Sequence, residues 1–528
     1  MKKGSVTIFL ALVLILILSF VFSLLEGARV YCLNGKAQTV SRLCMQSVFA
    51  NYHCGIWEDY HLLFLDGTWQ GEEFSIEELS QKAMNEVTKN LLGLTKNATE
   101  NNWEFTQLNV VDIEIQSCQL ATDYAGSIFR SQVSRQMQLE ATEAVLEELF
   151  QIKKQSQDIQ KQQEQKESTW QQAWEAITQA GKMLEELQKT TSEVRKEQQQ
   201  EQLEAVRLEQ QEKSEVVREE VQEKFEVAEE EWLKEQTEIE NPMEYVKELK
   251  NSGLLAIVLK DPSQLSARAV QEADFLMDRK LRTGNGIPQE EKSLERFWLQ
   301  YYIQNYFSNY VAVSQMGAKE KVLAYEWEYI LAGRKSDSEN LEEVVKRLLA
   351  VREVMNFASL MQNAQKKNLA FRIATATVGF TGMLPLIKAV QAGVLLAWAF
   401  VESVLDVRAL LEGEKIPLLK NSSQWNSDLT NCRKSIEEQG VFVKADDGWN
   451  YNQYLQTLLF LQSEEMISYR CMDLIERNEQ VQMDAMLQGI ECVFTYEAKP
   501  LFWSFNRVVQ KGWEHFSFLA ETEFSYGY

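Results

Sequence analysis

The stretch KKGSVTIFLALVLILILSFVFSLLEGARV, Lys2–Val30, decides how the rest of the chain is read. Twenty residues, Val6 to Leu25, run without a charge, a proline or a glycine, and sixteen of them are Leu, Ile, Val or Phe. At ~1.5 Å rise per residue such a helix spans roughly 30 Å, the thickness of a bilayer's hydrocarbon core. A secretory signal has a shorter apolar region, about 7–15 residues, followed by a small-x-small cleavage site. Here the run is longer, and the small pair near its end, Gly27-Ala28, directly follows Glu26. The reading is a retained membrane helix. Lys2 and Lys3 mark its cytoplasmic side by the positive-inside rule, and Glu26 and Arg29 flank its outer end. Residues 1–26 are then a cytoplasmic stub and transmembrane helix in the cell membrane. The chain is single-pass, in contact with lipid through 6–25, and its ectodomain lies outside.

The remaining residues form a folding chain: 45% are hydrophobic and 25% charged. Glycine (23) and proline (6) are scarce in 528 residues, so long helices are expected. The net charge of −24 excludes nucleic acid as a partner, because phosphates need Lys and Arg. It also argues against adhesion of the ectodomain to anionic lipid.

From Ala28 to about Asn101 the pattern is helical. In NYHCGIWEDYHLLFLDG (51–67), Ile56, Trp57, Tyr60, Leu63 and Phe64 share one helical face, with Gly67 as the stop. Ser75 and Glu78 form a capping-box signature for the next helix. In 107–119, Val111, Ile113 and Ile115 alternate with Asp112 and Glu114, which reads as a half-buried strand. ECVFTYEA (491–498) and FLAETEFSYGY (518–528) alternate in the same way. An isolated hairpin is marginal, so these strands are expected to meet in one small sheet.

Residues 151–240 hold 23 acidic residues, 13 basic residues and 19 glutamines. Sparse apolar positions recur at coiled-coil spacing, as at Val217, Val221, Phe225, Ala228 and Trp232. The segment reads as a solvated helical arm and a route to homo-oligomers. A second apolar region, 373–401, has Lys388 and Gln391 inside it and Glu402 at its close. A central lysine costs roughly 2.5–3.5 kcal/mol on insertion, so this region reads as a buried helical hairpin.

The expected fold class is mainly α with a small antiparallel sheet (α+β), an N-terminal transmembrane helix and a long coiled-coil-like insertion. The blocks are 27–140, a membrane-proximal α+β part; 141–240, the insertion; 241–420, a helical core; and 421–528, C-terminal helices and strands packing back on 27–140.

Little points to chemistry. His53, His61 and His515 are far apart in sequence, and HExxH, a Walker loop and GxSxG are absent. RTGNGIP (282–288) reads as a turn. In EWEYILAGRKSDSENL (326–341), Glu326, Glu328, Arg334 and Asp337 suit either an active loop or helix ends. Seven cysteines without a CxxC read best as buried small apolar residues, with pairing open among Cys32, Cys44 and Cys54 or among Cys432, Cys471 and Cys492. No enzyme, cofactor or metal site is expected.

KKGSVTIFLALVL resembles the head of the TadE/TadG-like pseudopilins of tight-adherence (Tad/Flp-type) pili. Those start with basic residues and a glycine, then a helix with Glu at the fifth position after the glycine. Gly4 and Ser5 match as the prepilin-type processing point; the fifth position here is Phe9. The whole chain is similar to an uncharacterised family of Gram-positive single-span proteins associated with such pilus gene clusters. GSVTIFLALVL and LLEGARV (4–30), SVFANY and LLFLDG (47–67), NPMEYVKEL (241–249), EYILAGRKSDSENL (328–341) and AWAFVESVLDVRALLEGEKIPLLK (397–420) carry the similarity. It implies an accessory pilus or secretion component working with platform proteins or pseudopilins. The alternative expectation is a cell-surface scaffold whose projecting coil docks a partner.

Overall fold

The computed structural model describes residues 2–69, 74–96, 105–141, 245–246, 249, 253–270, 275–286, 294–317, 320–379, 383–437, 448–502 and 517–528. The expected coil, 151–240, lies outside the described residues. The main elements, in chain order, begin with α1 (Lys2–Phe49), α2 (Cys54–Tyr60), β1 (Leu65–Asp66), α3 (Ile76–Lys96), β2 (Asn109–Leu120) and α4 (Asp123–Glu140). They continue with α5 (Glu295–Tyr306), α6 (Glu326–Ala332), α7 (Asp337–Gln362), α8 (Ala364–Val378) and α9 (Leu384–Leu411). The last are α10 (Tyr451–Phe460), α11 (Glu464–Glu479), β3 (Met486–Ala498) and β4 (Phe518–Gly527). The chain is mostly helical with one small antiparallel sheet and an apolar N-terminal helix.

Packing divides the chain into two units that cut across the linear blocks. One comprises 1–141, 272–306 and 464–528; the other comprises 142–271 and 307–463. The C-terminal residues that return to the N-terminal part are thus those from 464 onward. Residues 421–463 belong to the helical unit, and 272–306 leave it.

In the first unit, α1 is one helix of 48 residues with two different halves. From Val6 to Leu25 nearly every side chain is exposed. Beyond that, Leu33, Ala37, Val40, Cys44, Met45 and Val48 recur every three or four residues and are buried. They pack with Leu79, Ala83 and Val87 of α3 onto one face of the sheet, against Ile113, Cys492, Phe494 and Tyr496. Ser41 Oγ lies 2.8 Å from both Tyr496 Oη and Thr522 Oγ1, which pins α1 to the two strands.

β3 is the centre of the sheet. It pairs antiparallel with β2 and with β1 and β4, which take successive stretches of its length. Alternation along β3 is as expected, with Cys492, Phe494 and Tyr496 buried. In β2 an irregularity between Val110 and Asp112 shifts the register. Val110 packs on the core and Val111 is 52% exposed, so only Ile113 and Ile115 of the expected trio face inward.

The helix read across 51–67 is shorter than its apolar face suggests. His61 takes a left-handed conformation (φ 52°) and ends α2 at Tyr60; Leu65 and Asp66 then join the sheet. Ser75 caps α3 as expected, its Oγ accepting from Glu78 N at 3.2 Å.

α4 starts with three left-handed residues, Tyr124, Ala125 and Gly126. Residues 282–286 of the RTGNGIP segment dock beside them against β2; Ile287 and Pro288 lie outside the described residues. Asn285 Oδ1 accepts from Cys118 N (2.9 Å), its Nδ2 donates to Gln116 O (2.7 Å), and Gly284 N donates to Asp123 Oδ1 (2.8 Å). A Cβ at Gly284 would collide with the Cys118 carbonyl and the Asp123 carboxylate, so glycine is required there.

In the second unit α7 packs on α6, α8 and α9. Ser336 and Glu339 form a capping box at the start of α7. The second apolar region forms α8 and α9, which pack on each other. The most apolar window of α9 is 67% buried. Glu402 does not close this helix. It and Asp406 sit inside it, both fully buried.

Candidate functional site

Lys2, Lys3, Gly4 and Ser5 stand in the first turns of α1, and Phe9 is 67% exposed within the apolar run. Glu26 and Arg29, read from sequence as flanking charges, prove to be a clamp: both are fully buried. Arg29 Nη1 donates to Glu26 Oε1 at 2.6 Å, Nε to Phe105 O at 2.7 Å and Nη2 to Thr106 O at 2.7 Å. Glu26 Oε2 accepts from Phe502 N at 2.8 Å and Leu501 N at 3.3 Å. A buried ion pair is tolerable only when its remaining donors and acceptors are met, and here backbone from two distant loops meets them. Three rings gather beside it. Phe22 stacks on Phe502 with centroids 6.2 Å apart, and Phe105 lies 5.9 Å from Phe502.

A second cluster in this unit gathers around His61. Its Nδ1 is 2.7 Å from Tyr306 Oη and 3.2 Å from Glu140 Oε1; Tyr306 also donates to Glu140 at 3.0 Å. Trp57 stacks on the imidazole. Burial pushes the Glu140 carboxyl up, but hydrogen bonds from Gln136, His61 and Tyr306 outweigh it and hold it below the ordinary range. This group is not legible in the sequence, because its members come from three separate segments. It can orient an imidazole and share a proton, and it fastens the last residue of α4 to α5.

The acids of 326–341 are packing groups in the second unit. Glu326 accepts from Ser308 N (2.8 Å) and pairs with Lys321 (2.9 Å). Asp337 accepts from Ser266 Oγ, Ala324 N and Tyr325 N at 2.6–3.1 Å. Glu328 Oε1 accepts from Tyr310 N (3.0 Å) and Tyr451 Oη (2.7 Å), while Oε2 has no partner among the described residues. Burial pushes Glu328 up to about 7. Arg334 stands apart from these acids in its bonding: its backbone N donates to Asn340 at 2.7 Å.

The same unit holds a buried charge network that sequence reading missed. Arg352 donates to Asp406 (2.9 Å), to the carbonyls of Pro417 and Leu418, to Tyr454 and to Asn356. Lys420 bonds both Glu402 and Asp406, and Glu402 also takes the backbone N–H groups of Asn426 and Ser427. Nearby, the Lys366 ammonium lies 3.4 Å from the Trp425 ring centroid and 4.9 Å from that of Trp398. Burial, with Lys420 adding to it and Glu402 opposing, brings Lys366 down to about 7.

All seven cysteines are free thiols, five of them buried. Among the described residues no group of three or more His, Cys, Asp or Glu could hold a metal ion. The clamp stands where the exposed apolar run of α1 gives way to its packed half.

Comparison with curated proteins finds no match, and comparison with solved structures finds none either. Residues 233–499, just over half of the chain, match a family model described as a family of unknown function (DUF5702), and the chain belongs to that family.

Proposed function

We propose that the protein is a membrane-anchored, extracytoplasmic structural component of a tight-adherence type pilus or secretion system, pseudopilin-like in build. The observation that carries this reading is α1. A single uninterrupted helix supplies both an apolar segment long enough to cross a bilayer and the spine of the folded body. A cleaved leader has no reason to share a helix with the core. Removing it after Leu25 would also bare Glu26, whose partners lie in the 105–106 and 501–502 loops. The positive-inside rule, applied to Lys2 and Lys3, supports an amino end in the cytoplasm. Resemblance of the first residues to pseudopilin heads supplies the system.

Phe9 favours a subunit at the base or platform over a polymerising one. An acid in lipid must find a partner, which registers one subunit against the next. With Phe9 in that place, packing within a filament would rest on shape alone, and lipid competes well for apolar contacts. The test replaces residues 6–25 by an unrelated apolar span of equal length and orientation. Expected is loss of assembled pili with unchanged membrane levels of the protein. Unchanged assembly would reduce the helix to a tether, and recovery of the native protein as a repeating subunit of sheared pili would overturn the base-component reading.

A further inference from the structure

Resting on the reading of α1 as a retained anchor, we infer that Phe105, Leu501 and Phe502 form a foot set into the lipid headgroup region. The first unit is then seated on the bilayer surface with no intervening stalk. The argument starts at Phe22. This residue is inside the apolar run, three positions before Leu25. One helical turn is ~5.4 Å, so its ring lies within about one turn of the end of the hydrocarbon span. The Phe502 ring stacks on it, and the Phe105 ring leans on Phe502. Whatever depth Phe22 takes, those two rings take nearly the same depth.

The backbone of the foot is suited to that level. In lipid, each unpaired N–H or C=O costs several kcal/mol, and irregular backbone survives there only when its polar groups are met. Four such groups, the carbonyls of Phe105 and Thr106 and the N–H groups of Leu501 and Phe502, are met by Arg29 and Glu26 of α1. In return the loops bury the two charges that would otherwise stand bare at the membrane exit. Half-buried rings beside fully buried charges are an arrangement fitted to an interface, and Leu24 and Leu25 remain exposed beside them at 58% and 39%. The partner is the bilayer itself, through apolar contact; the acidic body has no charge attraction to anionic lipid.

The test uses the full-length protein in vesicles of phosphatidylcholine and phosphatidylglycerol. A photoreactive benzoylphenylalanine replaces Phe502, or in separate samples Phe105, or Ala50, which is exposed just past the end of α1, roughly 40 Å from Phe22 along the helix. Floated vesicles are irradiated and lipid adducts are read by mass spectrometry. Expected are adducts at Phe502 and Phe105 at least about tenfold above those at Ala50. Equal labelling at all three positions, or a crosslink from Phe502 to a second copy of the chain, would overturn the foot while leaving the anchor standing. Failure of the unsubstituted protein to float with the vesicles would instead remove the anchor, and the foot with it.

Discussion

Glu328 shows how a single buried acid ties stability to pH. Its ordinary pKa of 4.5 is raised to about 7, chiefly by burial, and Tyr310 N and Tyr451 only partly offset that. Below 4.5 the carboxyl is protonated whether the chain is folded or not, and it costs nothing. Between 4.5 and 7 the unfolded chain releases the proton while the folded one keeps it, so stability falls as pH rises, by ~3 kcal/mol in all, and is flat above. Glu328→Gln mimics the protonated acid. It should raise the denaturant midpoint at pH 8 and leave it nearly unchanged at pH 4.5; a larger gain at the acid end would refute the assignment. Arg29 makes the converse case. Arg29→Met leaves Glu26 buried without its cation, which should cost about 3–5 kcal/mol, whereas Glu26→Gln with Arg29→Met should recover part of that loss. Thermal unfolding of the detergent-solubilised chain would show the order.

At the scale of elements, what was legible in the sequence was what local pattern determines. The apolar run, the Ser75 cap and the alternation of β3 are each fixed by residues within a turn or two of one another. What escaped depends on partners far away in the chain. The irregularity that turns Val111 outward is set in the pairing of β2 with β3, and no residue type announces it. The charges within α9 looked like the end of an apolar segment because Arg352 and Lys420 lie on other segments. The left-handed start of α4 is the sharpest case. Tyr124 and Ala125 each cost roughly 1–2 kcal/mol in that conformation, and nothing in their identity favours it. Gly126 (φ 74°) is the one residue there suited to it, and a Cβ would stand 2.9 Å from the Ser468 Cβ. Gly126→Ala should therefore destabilise by ~1–3 kcal/mol, and Ser468→Gly in the same chain should return the steric part. If the second change restores nothing, the close approach of α4 to α11 is not what fixes the turn.

For the whole molecule, the order of the chain matters more than the size of its parts. β3, the central strand, is contributed by the last residues, while α1, which covers it, is contributed by the first. The family match begins at 233, so the apolar N-terminal helix lies outside the matched residues. The proposed anchor makes a definite demand on topology. Among the described residues two helices are apolar and long enough to cross a bilayer, but the window in α1 is 0% buried and that in α9 is 67% buried. A helix that crossed the membrane would expose its apolar flank to lipid, and it would carry Glu402 and Asp406 into it with the charges that satisfy them on other segments. Each acid costs roughly 2.5–3.5 kcal/mol at the centre of a span. α9 should thus stay with its unit, outside. Protease added to intact protoplasts should digest residues 384–411 along with the rest of the ectodomain and leave one protected fragment of about 26 residues at the amino end. A protected fragment containing α9 would show a second crossing, and protection of the whole chain would reverse the orientation set by Lys2 and Lys3.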